Sequence, residues 1–282
     1  MALSIWVLAE VIPTSFIENQ AHTFYNSGHP AIAENVFSWE CSSQHADACL
    51  WLRLEHETLL QTQAPDLQRA AAVNVKACDG DKSEGCLNLG KMFKYGLGVP
   101  LDYSRALALF SKACDEGFAD GCADLGVMYL DGMGVTQNRF QATALLSKAC
   151  EAGSAKGCNG LGCIYAEGED YSRAKVLFFN SCNAGDASGC AHLGRIYEDG
   201  LSVPQNYYWA VRLYSKACDS EDAEGCNLLG VAYDEGHGAK QDFSRARELF
   251  DKACHGGSED GCSNYKDKLD QEHADDHDAS IG

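Results

Sequence analysis

The chain has 282 residues, 45% of them hydrophobic, enough to bury a large core in two domains or along one extended array. A formal net charge of −19 excludes a nucleic-acid binder, whose phosphate contacts need a basic surface, and disfavours anionic membrane surfaces. The strongest compositional signal left is the 15 cysteines.

Residues 1–12 are apolar but are interrupted by Glu10, and no Lys or Arg precedes Arg53. The segment therefore matches neither a secretory signal nor an arginine-rich presequence. No run approaches the ~20 apolar residues of a transmembrane helix. Thr14 to Tyr25, then residues about 29–41 with Ala33, Val36, Phe37 and Cys41 at helical spacing, are expected to form a degenerate capping hairpin over 1–40.

From Cys41 onward the cysteines fall in pairs eight positions apart: Cys41 with Cys49, Cys78 with Cys86, Cys114 with Cys122, Cys150 with Cys158, Cys182 with Cys190, Cys218 with Cys226 and Cys254 with Cys262, Cys163 being left over. In one unbroken helix such residues would lie ~12 Å apart along the axis, beyond the ~7 Å Cα separation that a disulfide tolerates. The helix must break between them. A helix ending near Cys78, a turn through Gly80 and a second helix from about Cys86 would bring the thiols together. Seven staples follow, each closing a nine-residue loop and stabilising the fold by roughly 2–3 kcal/mol in the chain-entropy account. Zinc ligation and free buried thiols are the alternatives for the same residues, although structural zinc favours four ligands at CxxC-type spacing.

The first cysteines of successive pairs follow at 37, 36, 36, 32, 36 and 36 residues, the period of a stacked helical-hairpin solenoid. After the second cysteine, Leu recurs at +3 (Leu89, Leu125, Leu161, Leu193, Leu229) and Gly at +4 (Gly90, Gly126, Gly162, Gly194, Gly230). An aromatic stands at +7 (Phe93, Tyr129, Tyr165, Tyr197, Tyr233) and Gly at +10 (Gly96, Gly132, Gly168, Gly200, Gly236). Positions 0, +3, +4 and +7 form one buried face of a helix, helix A. A glycine at +4 costs ~0.5–1 kcal/mol in a helix, so a neighbour must pass too close for a Cβ, and the +10 glycine reads as a left-handed stop. Helix B follows, with N-caps at Asp102, Asn138, Asp170, Asn206 and Asp242. Its apolar spacing is that of Tyr103, Ala106, Leu109, Phe110 and Ala113. The copy from Cys150 to Ser181 is four residues short, and the gap falls in the A-to-B loop. In the copy from Cys41, Arg53 and His56 replace the glycine and the aromatic, as in a terminal repeat. After Tyr265 and Leu269 the pattern decays, and 266–282 reads as a disordered acidic tail.

Leu89-Gly90, Tyr129, Gly96-x-Gly98-Val99, Asp102, Ala106 and Lys112-Ala113 resemble the Sel1-like repeat, and the Cys-x7-Cys frame is similar to its cysteine-rich branch. That branch includes the Helicobacter cysteine-rich proteins and the eukaryotic cytochrome c oxidase assembly factor of Sel1-like repeats. The resemblance spans Cys41 to Tyr265. It implies one of two functions: respiratory-complex assembly in the mitochondrial intermembrane space, or secreted penicillin binding with weak β-lactamase activity. The missing export signal and Ser15-Phe16-Ile17-Glu18-Asn19 favour the first, with entry by the oxidative-folding import machinery.

Serine β-lactamase chemistry needs Ser-x-x-Lys together with Ser-Asp-Asn and Lys-Thr-Gly elements. Ser172-Arg173-Ala174-Lys175 and Ser263-Asn264-Tyr265-Lys266 match the first element, and neither of the others occurs. His273 and His277, flanking Asp275 and Asp276, read as a solvated tail rather than a metal site. The expectation is an all-α, right-handed α/α superhelix of about seven hairpins over 41–265, with one intra-hairpin disulfide per repeat, non-enzymatic and without a cofactor. Its groove would hold a basic or mixed-charge protein partner through Asn88, Lys91, Asp124, His192, Arg195 and Leu228. The compartment is the intermembrane space, or alternatively a secreted or periplasmic one.

Overall fold

The computed structural model describes residues 67–80 and 83–281, with side chains to Gln271. The capping hairpin, Arg53 and His56 lie outside the described residues. So do Cys41 and Cys49, and of the seven expected bridges the one between Cys41 and Cys49 therefore stays an expectation. Everything described is helix or turn: α1 (67–79), α2 (Ser83–Tyr95), α3 (Tyr103–Asp115), α4 (Ala119–Asp131), α5 (Arg139–Glu151), α6 (Ala155–Glu167), α7 (Tyr171–Asn183), α8 (Ala187–Glu198), α9 (Tyr207–Asp219), α10 (Ala223–Glu235), α11 (Phe243–His255) and α12 (Glu259–Ile281). The even-numbered helices are A and the odd-numbered are B, and each packs on the next in sequence. From α4 on, each A helix also touches the A helix of the next hairpin, whereas B helices of neighbouring hairpins stand further apart. The A helices thus line the inner side of the stack.

Local chemistry sets the boundaries. Asp102, Asn138, Asp170, Asn206 and Asp242 each accept the backbone N–H three residues on, at 3.0–3.1 Å, which satisfies a donor the helix leaves free. Gly96, Gly132, Gly200 and Gly236 end the A helices at φ of 69–73°. Gly168 does not: its φ is −85°, and in the shortened copy Glu169 takes the left-handed place at φ 59°. The four-residue deletion is compensated by a side chain. Arg139, standing where other B helices begin with Tyr or Phe, donates to the Ile164 carbonyl at 2.8 Å and pairs with Glu167.

The hairpin core is built on two glycine columns. A Cβ at Gly90 would lie 2.6 Å from Phe110 Cε1, one at Gly162 2.6 Å from Phe178 Cε1 and one at Gly126 2.8 Å from Leu146 Cγ, so the partner at +4 is a large side chain of the hairpin's own B helix, a ring in every copy but that of Leu146. A second column precedes each second cysteine: a Cβ at Gly121 would lie 2.7 Å from Ala113 Cβ and 3.0 Å from the Cys114 nitrogen. This Gly–Ala crossing lets the B-to-A turn close tightly enough for sulfur chemistry. The Cα atoms of all six described pairs lie 4.3–4.6 Å apart, and Cys78–Cys86, Cys114–Cys122, Cys150–Cys158, Cys182–Cys190, Cys218–Cys226 and Cys254–Cys262 are disulfides. Neither zinc nor free thiols describe these twelve cysteines.

A lysine two residues before the next first cysteine then ties hairpin to hairpin. Lys112, Lys148, Lys216 and Lys252 donate to the carbonyls of Cys78, Cys114, Cys182 and Cys218 at 2.8–3.3 Å.

Residues 266–281, read from sequence as a tail without structure, continue α12 to Ile281. The helix is seeded where Lys268 pairs with Asp234 at 2.7 Å, and no Gly or Pro follows until Gly282 to stop it.

In the B-to-A turns, Gly117, Gly153 and Gly185 have φ of 89–95° with open space where a Cβ would be, but Glu221 holds the matching place at φ 64°. The left-handed strain of about 1–2 kcal/mol at Glu221 outweighs the roughly 0.5–1 kcal/mol that the extra freedom of glycine adds to the unfolded chain. Glu221→Gly is expected to stabilise the fold by about 0.5–1 kcal/mol, read as a higher urea midpoint at unchanged slope.

Candidate partner-binding face

In the A helices α2 to α10 the positions at −1, 0, +1, +3, +4, +6 and +7 are taken up by packing, apart from partial exposure of the +7 aromatics and of Asn159; in the terminal α12, Ser263 at +1 and Lys266 at +4 are exposed. Positions −2, +2, +5 and +9 point the opposite way at 100° per residue and form a stripe. Contacts between hairpins join the stripes of α6, α8 and α12 to the A helix before each, at the stripe itself for Lys156 and at the +1 residues Asn159 and Asn227 for His192 and Asn264. Lys156 pairs with Asp124 one hairpin back, His192 Nδ1 lies 2.9 Å from Asn159 Oδ1, and Asn264 donates to Asn227 at 2.9 Å. The result is a continuous polar band along the inner side.

All six candidate contact residues fall on this band. Asn88, Lys91, His192 and Leu228 are half-buried, and Arg195 is exposed. Asp124 is the exception: it is 1% exposed, covered with its carboxylate against Lys156, so the ammonium of Lys156 is what a partner would meet. The band's basic residues are Lys91, Lys156 and Arg195, and they are outnumbered by Asp120, Asp131, Asp199, Glu224, Glu235 and Asp260 alone. Lys156, Asn159, Glu224, Asn227 and Asn264 were not singled out from sequence. Extending the helical register backward to −2 would have found Lys156 and Glu224. Asn159 and Asn227 sit at +1, which reads as core.

Burial sets the electrostatics of the middle of the band. Desolvation, then Arg195, lowers the His192 pKa, and its ring lies 4.9 Å from that of Phe178, so the imidazole is neutral at pH 7. Cys163 Sγ lies 3.9 Å from His192 Nδ1. Burial, then Glu167 and Asp186, pushes the Cys163 thiol up to about 11. It is a protonated, sluggish thiol. Its alkylation by iodoacetamide at pH 8 should run roughly tenfold or more below that of free cysteine and rise with pH towards 11. Because the unfolded chain releases this proton first, native stability falls as pH climbs from about 8.5 towards 11.

The lactamase-type matches do not converge. Ser172 is exposed in the first turn of α7, on the outer side of the stack, and Ser263 is exposed on α12. His273 and His277 lie on α12 beyond the described side chains. Among the described residues no group of three or more His, Cys, Asp or Glu could hold a metal ion, and no helix is long and apolar enough to cross a membrane.

Paired helices stacked around a shared inner face define an α/α solenoid of the tetratricopeptide-like kind. The Sel1 repeat model matches residues 83–118, 119–154, 155–186, 187–222 and 223–258, and the chain belongs to the Sel1 repeat family. In that frame the bridges Cys114–Cys122, Cys150–Cys158, Cys182–Cys190 and Cys218–Cys226 each join the end of one matched repeat to the start of the next. A Sel1 repeat protein from Oxalobacter formigenes is 24% identical with a TM-score of 0.55, over 65% of this chain and 81% of that one. A protective antigen of uropathogenic Escherichia coli with an SLR fold is 27% identical with a TM-score of 0.57, over 84% of this chain and 52% of that one. Helicobacter pylori cysteine rich protein B is 31% identical over 45% of this chain and 94% of its own, with a TM-score of 0.39. No curated protein matches the chain. Sel1 repeats typically mediate protein interaction, and six bridges place the folding of this chain in an oxidising, extracytoplasmic compartment.

Proposed function

We propose that this chain is a non-enzymatic scaffold that holds a basic segment of a partner protein along its inner face. The observation that carries the reading is the acidic band itself, continuous over successive A helices and complementary to cationic side chains. Asp120, Asp131, Asp199, Glu224 and Glu235 are the proposed contacts for the partner's cationic side chains, Asn88, His192 and the half-buried Leu228 line the same face, and Lys91, Lys156 and Arg195 would meet carboxylates interspersed in a mixed-charge segment. We further propose that the partner belongs to a respiratory-chain complex, cytochrome c oxidase first, and that the compartment is the mitochondrial intermembrane space, reached by oxidative folding. The disulfide frame, with a seventh bridge proposed between Cys41 and Cys49, and the likeness to the cysteine-rich Sel1 branch support this placement.

A photo-cross-linker placed at position 228 in mitochondria should capture a subunit or assembly intermediate of a respiratory complex. The same group at Trp209 of α9 should not, and Glu224→Lys with Glu235→Lys should abolish the adduct. Recovery of the protein only in the cytosol with reduced thiols would contradict the placement. Nitrocefin turnover lost in Ser172→Ala or Ser263→Ala would contradict the scaffold.

A further inference from the structure

The bridges are not equivalent. Cys78, Cys114, Cys182 and Cys218 are 2–4% exposed, and the lysine of the following hairpin is bonded to the carbonyl of each. The ammonium also lies 3.6 Å from Cys114 Sγ and 3.5 Å from Cys182 Sγ. In the short copy the same position is Asn180, which is exposed and donates no side-chain hydrogen bond to the Cys150 carbonyl. There Cys150 is half-buried, and Cys158 is 6% exposed against 0–1% for Cys86, Cys122, Cys190 and Cys226. Among the described bridges only Cys254–Cys262, with no following hairpin to cover it, is similarly open: Cys254 is half-buried and Cys262 is 6% exposed.

We infer that Cys150–Cys158 is a thiol–disulfide exchange site in the middle of the stack, opened by dithiol reductants while the flanking bridges stay closed. A thiolate of the dithiol attacks Cys150 Sγ, the Cys150–Cys158 bond breaks and Cys158 leaves as a thiolate. The second thiol then attacks the mixed disulfide, so the dithiol departs as a cyclic disulfide and both cysteines take up protons. Two electrons pass from the dithiol to the bridge. An ammonium beside a sulfur would favour its release as thiolate, which works in favour of the lysine-covered bridges. Access decides the order, because an attacking sulfur must approach along the S–S axis and the covered bridges leave it no path without local opening.

The test is a time course in dithiothreitol without denaturant, with pulse alkylation and peptide mass spectrometry of the full chain. Among the five bridges from Cys78 to Cys226, Cys150 and Cys158 should be labelled first, at least tenfold faster than Cys182 and Cys190, while helical circular dichroism is retained. Asn180→Lys should slow their labelling towards the rate of the other bridges, and Asn180→Gln, which keeps an amide, should not. Labelling of Cys150 and Cys158 no faster than the rest, simultaneous opening of all bridges with loss of helix, or no effect of Asn180→Lys would each overturn the inference.

Discussion

Replacing Cys114 and Cys122 together by alanine is expected to lower stability by about 2–3 kcal/mol, with the loss read from urea unfolding of the oxidised protein. The bridge closes a nine-residue loop, and removing it returns that loop's freedom to the unfolded chain. Both positions are nearly sealed, at 2% and 1% exposure, so alanine avoids leaving an unpaired hydroxyl that serine would bury. The single variants Cys114→Ala and Cys122→Ala should cost about as much as the pair, since either one removes the bridge. The loops do not overlap, and each hairpin touches only its neighbours, so losses at distant bridges should add. At about 2–3 kcal/mol each, reduction of all six described bridges removes about 12–18 kcal/mol, as large as the 5–15 kcal/mol margin of an ordinary domain, and the fully reduced chain should lose its cooperative helical signal at 37 °C.

Gly121→Ala should be as damaging although it adds one methyl group. In a free helix the change gains ~0.5–1 kcal/mol. Here the new Cβ would sit 2.7 Å from Ala113 Cβ, 3.0 Å from the Cys114 nitrogen and 3.1 Å from the Ala113 carbonyl carbon. None of those atoms is the end of a flexible side chain, so α3 and α4 must separate at the point where Cα atoms are held 4.5 Å apart by Cys114–Cys122. Overpacking of this kind costs about 1–3 kcal/mol, occasionally more, and outweighs the helix propensity. Gly153→Ala is the control, because nothing lies within 4 Å of its Cβ position and only the strain of φ 89° is added. A urea midpoint for Gly121→Ala at or above that of the unaltered protein would refute the packing account.

The parts of this fold that were legible in sequence are those governed by near neighbours. Cys-x7-Cys demands a break in the helix, Asp102 and its counterparts mark helix starts, and the +4 glycines announce a close approach. What stayed hidden depends on residues one hairpin away. Asp124 looks like a groove residue in its own helix, and only Lys156, 32 residues on, covers it. The Gly121–Ala113 crossing and the lysine bonds to the cysteine carbonyls likewise pair positions that no single helical wheel contains. Arg139 in place of the usual aromatic, and the left-handed Glu169 after Gly168, are responses to a four-residue deletion that could be located but whose repacking could not be read. The decay of the repeat after Tyr265 marked the loss of core positions, yet helix needs only the absence of a breaker and a folded end to extend from, which α12 has. On the inner face the register put the six candidate residues on one stripe, while its charge balance emerged only once −2 and +9 were seen to share it with +2 and +5.

Helix B of one hairpin is joined to helix A of the next at every described turn, and that junction keeps the A helices in line and the acidic band continuous. Non-reducing peptide mapping of the purified protein tests it most directly. The expected result is Cys78–Cys86, Cys114–Cys122, Cys150–Cys158, Cys182–Cys190, Cys218–Cys226 and Cys254–Cys262, each within one short peptide, with Cys163 recovered as a free thiol. Bridges between different turns, or Cys163 joined to any of the twelve, would contradict it.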